Sequence, residues 1–218
     1  THAPLSERTY RAPSEIDRRI AELVVNEIPD GAVLSLGVGT VPFAIASALA
    51  DSDKKDLGCH TGTISDAYRK LYLAGKLTNA RKEFDTGRNS FNLAMGSSDF
   101  YDWLRENPDL FRPDSIDYIH DPSRIGKLSR VISINGGVQV DLMGQENAES
   151  ANGMQLSGIG GQMDFLEGAF RSAGGCGYIC INSSRLTKDG VRKSNILPFI
   201  PGGSTVSAPR TLIEAVAT

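Results

Sequence analysis

Residues 32–50 read AVLSLGVGTVPFAIASALA, and this stretch decides the fold class. Residues 32–37 are a short apolar run, as in a buried strand, and the glycine turn Gly37-Val38-Gly39 follows them. Residues 43–50 are mostly apolar, which indicates a covered helix with Pro42 near its first position. A buried strand that turns sharply into a covered helix is the repeating unit of an α/β fold.

The same alternation of helices and strands continues on both sides of this stretch. Residues 14–28 form the clearest predicted helix, because Ser14 can cap it and its apolar residues recur on one face. Residues 131–143 alternate as a strand does, and Gly136-Gly137 within them indicates a bulge or a close approach to the backbone. The sequence therefore predicts an α/β fold with an open, largely parallel sheet flanked by helices. Further helices are predicted at residues 65–75 and 97–107, further strands at residues 57–61, 178–182 and 195–200, and a loop-rich middle at Pro108, Pro113 and Pro122.

The composition favours one large domain, or a domain with an appendage, in a reducing compartment. Of 218 residues, 40% are hydrophobic, which is enough to bury a substantial core. A net charge of -3 argues against nucleic acid as the main partner, and no apolar run is long enough to cross a bilayer. Three cysteines give no disulfide framework, so we expect a cytoplasmic location. Cys176 and Cys180 are interpreted as core residues on one face of a strand and not as zinc ligands.

Two glycine turns could bring backbone N–H groups close to a ligand. Gly37-Val38-Gly39 lies between a strand and a helix, where amides bind anions or carbonyl oxygens, but Pro42 replaces the third glycine of a dinucleotide-binding turn. The second turn, Ser157-Gly158-Ile159-Gly160-Gly161, places three glycines in four residues. So many glycines are costly in backbone entropy, which indicates either an oxyanion hole or a tight turn.

Titratable side chains give a weaker signal. His60 follows Cys59 directly, so the two side chains point to opposite faces of a strand and cannot pair for catalysis. His2 lies near the amino terminus and His120 in a predicted loop, and both are interpreted as structural. The acidic residues Asp141, Glu146 and Glu149 are interpreted as a solvated cluster at a strand end.

Several short motifs follow one another in a specific order. They are GVGTVP at residues 37–42, DLGCHT at 56–61, VDLMGQ at 140–145, AES at 148–150, SGIGGQMDF at 157–165, Pro198, and SAPR at 207–210. The first two are similar to Gly-Ile-Gly-Gly-Ile-Pro and Asp-Leu-Gly-(Ile/Val)-His-Thr of the acetyl-CoA hydrolase and 4-hydroxybutyrate CoA-transferase group of family I CoA-transferases. From about residue 15 to the last residue, the chain resembles the carboxyl-terminal domain of that group.

The resemblance implies a CoA-transferase-like (NagB/RpiA-like) domain over residues 14–218, with residues 1–13 as a linker or extended terminus. In the family, two similar α/β domains meet at the active site, so an amino-terminal domain or subunit and an oligomer are the expected partners. The exposed junction surface should be apolar or rich in glycine. Coenzyme A, as acyl-CoA, and a small carboxylate are the expected ligands, with no metal, no nucleic acid and no membrane.

The resemblance also implies a ping-pong mechanism, but this chain lacks the glutamate that the mechanism requires. In the family, a glutamate after His-Thr attacks the thioester, but here that position holds Gly62. Neither Asp66 nor Glu149 can be placed as a substitute from sequence. The hypotheses are altered chemistry such as hydrolysis by activated water, a catalytically silent CoA-binding or scaffolding subunit, or an engineered loss, so enzyme status stays open. By the same resemblance, the CoA-binding residues are Gly37, Val38, Gly39, Thr40, Val41, Gly137, Gly160, Gly161 and Gln162.

Overall fold

The computed structural model describes residues 5–9 and 11–218, in which helices and strands alternate from residue 15 to residue 113. Residues 5–9 and 11–13 carry neither helix nor strand, whereas residues 1–4 and 10, and with them His2, lie outside the described residues. The helices are α1 (Glu15–Glu27), α2 (Thr40–Asp51), α3 (Asp66–Leu73), α4 (Ser98–Glu106), α5 (Ile116–Ile119), α6 (Pro122–Ile125) and α7 (Gln162–Arg171), with a 3₁₀ turn at Pro108–Leu110.

The strands form one large sheet and three small ones. They are β1 (Val33–Leu36), β2 (Gly58–Ile64), β3 (Asn89–Ala94), β4 (Phe111–Pro113), β5 (Val131–Gly136), β6 (Gln139–Asp141), β7 (Glu146–Asn147), β8 (Ser150–Ala151), β9 (Met154–Gln155), β10 (Cys176–Cys180), β11 (Ser184–Leu186), β12 (Arg192–Ser194), β13 (Ile196–Leu197) and β14 (Ala215–Ala217). The large sheet has the order β14-β10-β5-β1-β2-β3-β4, and every pair in it is parallel. The α/β class with a largely parallel sheet is therefore confirmed.

Helices cover both faces of this sheet because its strands are apolar on both sides. Leu34 and Ile132 pack into a core with α1, α2, α3 and α4, whereas their neighbours Val33 and Val131 pack on the opposite face. That second core takes Ile119 from α5, Ile125 from α6 and Phe165 from α7, among other residues. Parallel strands covered in this way read as continuous apolar runs, as residues 32–36 do.

The order of the strands creates a crevice beside β1. From β1 the chain moves outward through β2, β3 and β4, and it then returns to the other side of β1 as β5. Connections leave the carboxyl ends of β1 and β5 in opposite directions, and such a switch point is where open α/β sheets bind ligands.

A tyrosine hydroxyl ends the pairing of β1 with β2. The two strands pair at Val33↔Gly58 and Leu34↔Cys59. Beyond that point, the buried Tyr68 hydroxyl accepts a hydrogen bond from the Leu36 N–H at 2.8 Å and donates one to the Leu34 carbonyl at 3.1 Å. The side chain thus takes the place of a neighbouring strand, and β1 and β2 separate toward the crevice.

Several predicted elements agree with the structure and others are wrong. The helix at residues 14–28 is α1, and Ser14 and Asp17 form a capping box at its start. The strand predicted at 131–143 is wrong, because β5 ends at Gly136 and β6 belongs to a separate small sheet. The buried strand predicted at 195–200 shrinks to the half-buried β13. The loop-rich middle is also wrong, since Pro113 lies in β4 and Pro122 starts α6.

Candidate functional site

An open cavity of about 530 Å³ lies at the carboxyl ends of β1, β2, β3 and β5. Its size falls within the range of about 300–1,000 Å³ typical of small-molecule sites. Its walls come from those four strand ends, from the start of α7 and from the α5 region. The cavity thus occupies the crevice that the strand order creates.

Six of the ten residues predicted for the site line this cavity. They are Gly37, Val38, Gly62, Gly160, Gly161 and Gln162. Gly39, Thr40 and Val41 are not among the lining residues but continue from Val38 into the first turn of α2. Gly137 also lies outside the lining, and its neighbour Gly136 lines the cavity instead. A Cβ at Gly137 would lie 2.7 Å from Glu146 Oε1, so packing against Glu146 accounts for that glycine.

Both glycine turns carry backbone amides without acceptors. Within residues 5–9 and 11–218, the N–H groups of residues 38, 39, 40 and 41 and of residues 160–162 make no hydrogen bond. The first group leads into α2 and the second into α7, whose N-caps are Gly39 and Gly161. Gly39 and Gly160 have φ values of 131° and 61°, which favour glycine. Free amides at the positive ends of two helices favour an anion or a carbonyl oxygen nearby.

His120 fills the space beside Gly62. A Cβ added to Gly62 would lie 2.9 Å from His120 Nε2, closer than real Cβ atoms approach other atoms. On the other side of the ring, His120 Nδ1 lies 3.1 Å from Asp164 Oδ2. His120 also lines the cavity, so its earlier interpretation as a structural residue in a loop does not account for its position. Asp164 follows it by 44 residues, and no local sequence signal connects the two.

The Cys59–His60–Lys82 group, by contrast, is part of the core. Burial and the charge of Lys82 lower the pKa of His60 to about 4, and burial raises the pKa of Cys59 to about 12. His60 Nε2 lies 2.9 Å from the Ile119 carbonyl, and the Lys82 ammonium donates to the Cys59 carbonyl at 2.9 Å. The prediction that Cys59 and His60 do not act together agrees with this arrangement.

Glu146 is a buried carboxyl group near one edge of the cavity. Its side chain accepts a hydrogen bond from Gln162 Nε2 at 2.8 Å through Oε2, while Oε1 is buried without a partner. Burial, followed by the charge of Glu149, raises its pKa to about 8, although the hydrogen bond from Gln162 opposes this. Asp141 is also buried, so the interpretation of these residues as a solvated cluster is wrong.

The carboxylates considered as substitutes for a glutamate at position 62 are engaged elsewhere. Asp66 accepts hydrogen bonds from the Ser97 amide and hydroxyl and so joins α3 to the start of α4. Glu149 accepts from the Ser207 hydroxyl at 2.7 Å. Among the described residues that line the cavity, none is an aspartate or a glutamate.

Comparison with known proteins gives the family. The sequence model described as the acetyl-CoA hydrolase/transferase C-terminal domain matches residues 96–218. The chain belongs to this family. The resemblance noted from the motifs is therefore confirmed, as is the CoA-transferase-like fold.

Two of the relatives are named as CoA-transferases. The chain is 41% identical over 207 residues to the butyryl-CoA:acetate CoA-transferase of Anaerostipes caccae, which covers 95% of this chain and 46% of the relative. It is 37% identical to the 4-hydroxybutyrate coenzyme A transferase of Clostridium kluyveri, over 99% of this chain and 49% of the relative. RipA from Yersinia pestis superimposes with a TM-score of 0.88 at 36% identity, over 99% of this chain and 47% of RipA. The chain thus spans about half the length of the relatives it matches.

Two further observations concern the described part of the chain only. None of its helices has both the length and the apolar character needed to span a membrane. No three His, Cys, Asp or Glu side chains converge there as metal ligands do.

Proposed function

We propose that the cavity binds the thioester end of an acyl-CoA and that the chain forms one half of a family acyl-CoA site. The observation that carries this proposal is the meeting of two glycine turns, with free amides in residues 38–41 and 160–162, around one cavity. A thioester carbonyl that gains negative charge on attack is stabilised by such preorganised donors. The family's substrates are an acyl-CoA and a small carboxylate, and the thioester carbonyl of the acyl-CoA is an acceptor that such donors can bind.

The apolar side chains at the rim of the cavity are evidence that a second domain or subunit covers it. Val38, Leu93, Ile116 and Ile159 line the cavity, yet between 41% and 58% of each is exposed. Exposed apolar side chains grouped around a cavity are typical of a surface that another domain or subunit covers. This half would be the amino-terminal CoA-transferase domain, which agrees with the chain's share of its relatives' length.

The chemistry in this site would not pass through a carboxylate at residue 62. Gly62 stands where the family motif has its glutamate, and a side chain there would collide with His120. An acyl-glutamyl anhydride cannot form at this position because Gly62 has no carboxylate, and a glutamate introduced there would need His120 to move. The alternative is a catalytically silent subunit that binds CoA, for which the same missing carboxylate is the supporting observation.

Calorimetric titration of the native assembly with acetyl-CoA tests binding, and a CoA-exchange assay with acetyl-CoA and butyrate tests turnover. We expect binding without exchange. Gly62→Glu alone should not restore exchange, whereas Gly62→Glu with His120→Ala has room for the carboxylate and should restore it. Absence of heat with every CoA compound would contradict the proposed site. Rapid CoA exchange by the unaltered protein would contradict the conclusion that the reaction does not pass through a carboxylate at residue 62.

A further inference from the structure

The side chain missing at Gly62 is replaced in space by an imidazole. The His120 Nε2 and Cε1 atoms would lie 2.9 Å and 3.2 Å from a Cβ on Gly62. The same ring stands 2.6 Å, through Nδ1, from the Cβ position of Gly161. Both glycines therefore have to lack a side chain for His120 to occupy this place. Two backbone positions on separate elements, β2 and the start of α7, make room for one histidine.

His120 is held in an orientation that suits a base. Its Nδ1 lies 3.1 Å from Asp164 Oδ2, and its ring packs edge-on against Phe165 with centroids 5.1 Å apart. A carboxylate next to Nδ1 favours the tautomer with the proton on Nδ1, which leaves the lone pair on Nε2. In the part of the chain described by the structure, Nε2 makes no hydrogen bond.

We propose that His120 is the general base of an acyl-CoA hydrolase reaction in this cavity, with Asp164 as its positioning residue. The inference rests on the proposed function, since the substrate is the acyl-CoA bound there. His120 Nε2 removes a proton from water as the water oxygen attacks the thioester carbonyl. A tetrahedral oxyanion forms, and the free amides of residues 160–162 stabilise it. The C–S bond then breaks, the imidazolium returns the proton to the CoA thiolate, and a carboxylic acid and free CoA leave.

Water is the nucleophile that this site supports. The described lining residues include no aspartate or glutamate, so no carboxylate there can form an anhydride. The buried His60, the other histidine in the described chain, does not line the cavity. A histidine paired with a carboxylate and facing a cavity is the arrangement that general-base hydrolysis requires.

The test measures release of free CoA thiol from acetyl-CoA and butyryl-CoA by the native assembly, without an acceptor carboxylate. We expect hydrolysis, with one oxygen from H₂¹⁸O in the released acid. His120→Ala should lower kcat by about 100-fold or more, the usual contribution of a general base, and leave KM within a few-fold. Added imidazole should restore part of the rate. His120→Gln, which keeps a side chain of similar reach, should lose kcat in the same way.

Asp164 is tested by its dependence on His120. Asp164→Asn should lower kcat with little change in KM, and it should add nothing in the His120→Ala background, because it acts through the imidazole. Asp117→Asn is the matched control, since Asp117 is an exposed aspartate of α5 that does not line the cavity, and it should leave the rate unchanged.

Three outcomes would overturn the inference. They are unchanged kcat in both His120 variants, losses that add when Asp164→Asn is combined with His120→Ala, and acetyl-CoA binding without hydrolysis of either thioester. The last outcome leaves the proposed acyl-CoA site intact and favours the silent subunit. Failure to bind any CoA compound would instead overturn the proposed function itself, so the two failures are distinguishable.

Discussion

At the level of single residues, one side chain takes the space that another would occupy. Gly62 lacks a Cβ, and the His120 ring lies where that Cβ would point. Protein interiors are packed too closely to hold both a Cβ on residue 62 and the His120 ring in its present position. The position of His120 therefore depends on residue 62 being glycine.

This coupling predicts a non-additive pair of substitutions. Gly62→Ala should lower the free energy of unfolding by about 1–3 kcal/mol, because its Cβ would overlap His120 Nε2. In the His120→Ala background, the same change should cost close to nothing. Denaturant unfolding of the four proteins measures the difference. Gly136→Ala is the control, since the nearest atom to its Cβ would be 3.9 Å away, and additive effects at position 62 would contradict the account.

The raised pKa of Glu146 leads us to expect that stability depends on pH. Its pKa rises from 4.5 to about 8 on folding, so between these values the folded protein holds a proton that the unfolded chain has lost. The free energy of unfolding should therefore fall by up to about 1.4 kcal/mol per pH unit as the pH rises through this interval, and then level off. Stability from this group is complete below pH 4.5 and is lost above the folded pKa.

Glu146→Gln should abolish that fall, because an amide keeps the oxygen that accepts from Gln162 and does not ionise. Thermal or urea unfolding across the pH range compares this variant with the unaltered protein and with Glu106→Gln, an exposed control. A parallel decline in all three proteins would show that another group causes it.

At the scale of elements, the sequence was most informative where local rules apply. Ser14 and Asp17 indicate the start of α1, and the apolar run before Gly37 predicts β1. The single strand predicted at residues 131–143 is wrong, because alternation continues from β5 into β6 although the two strands join different sheets. The alternation records burial on one side of each strand, and it carries no information about which sheet a strand joins.

The separation of β1 from β2 is tested through Tyr68. Tyr68→Phe removes the hydroxyl that accepts from the Leu36 N–H, which leaves this buried N–H without an acceptor, and it also removes the hydrogen bond to the Leu34 carbonyl. We expect a loss of about 1–3 kcal/mol in the free energy of unfolding, measured by urea denaturation. Tyr72→Phe is the matched control, since Tyr72 belongs to the same helix and packs against Trp103. Equal effects of the two changes would contradict this role.

At the scale of the whole molecule, the family and fold could be predicted from ordered motifs, but much of the site could not. The two glycine turns are 120 residues apart, and only the sheet topology brings Gly37 and Gly161 to one cavity. His120 escaped detection because its partners, Gly62 and Asp164, lie far from it in sequence. The family resemblance names Gly137 as a CoA-binding residue, whereas its packing against Glu146 depends on tertiary structure and could not be predicted from sequence.

The proposed function places the acyl-CoA in the cavity between the two glycine turns. Gly136→Leu tests it most directly, because Gly136 lines the cavity and has an ordinary backbone conformation with open space for a side chain. Gly202→Leu is the matched control, since a Cβ there would meet nothing within 4 Å and Gly202 lies outside the lining and outside both glycine turns. In calorimetric titration of the native assembly with acetyl-CoA, Gly136→Leu should weaken binding at least about tenfold, equal to about 1.4 kcal/mol, and Gly202→Leu should not. Unchanged affinity in Gly136→Leu would contradict the account.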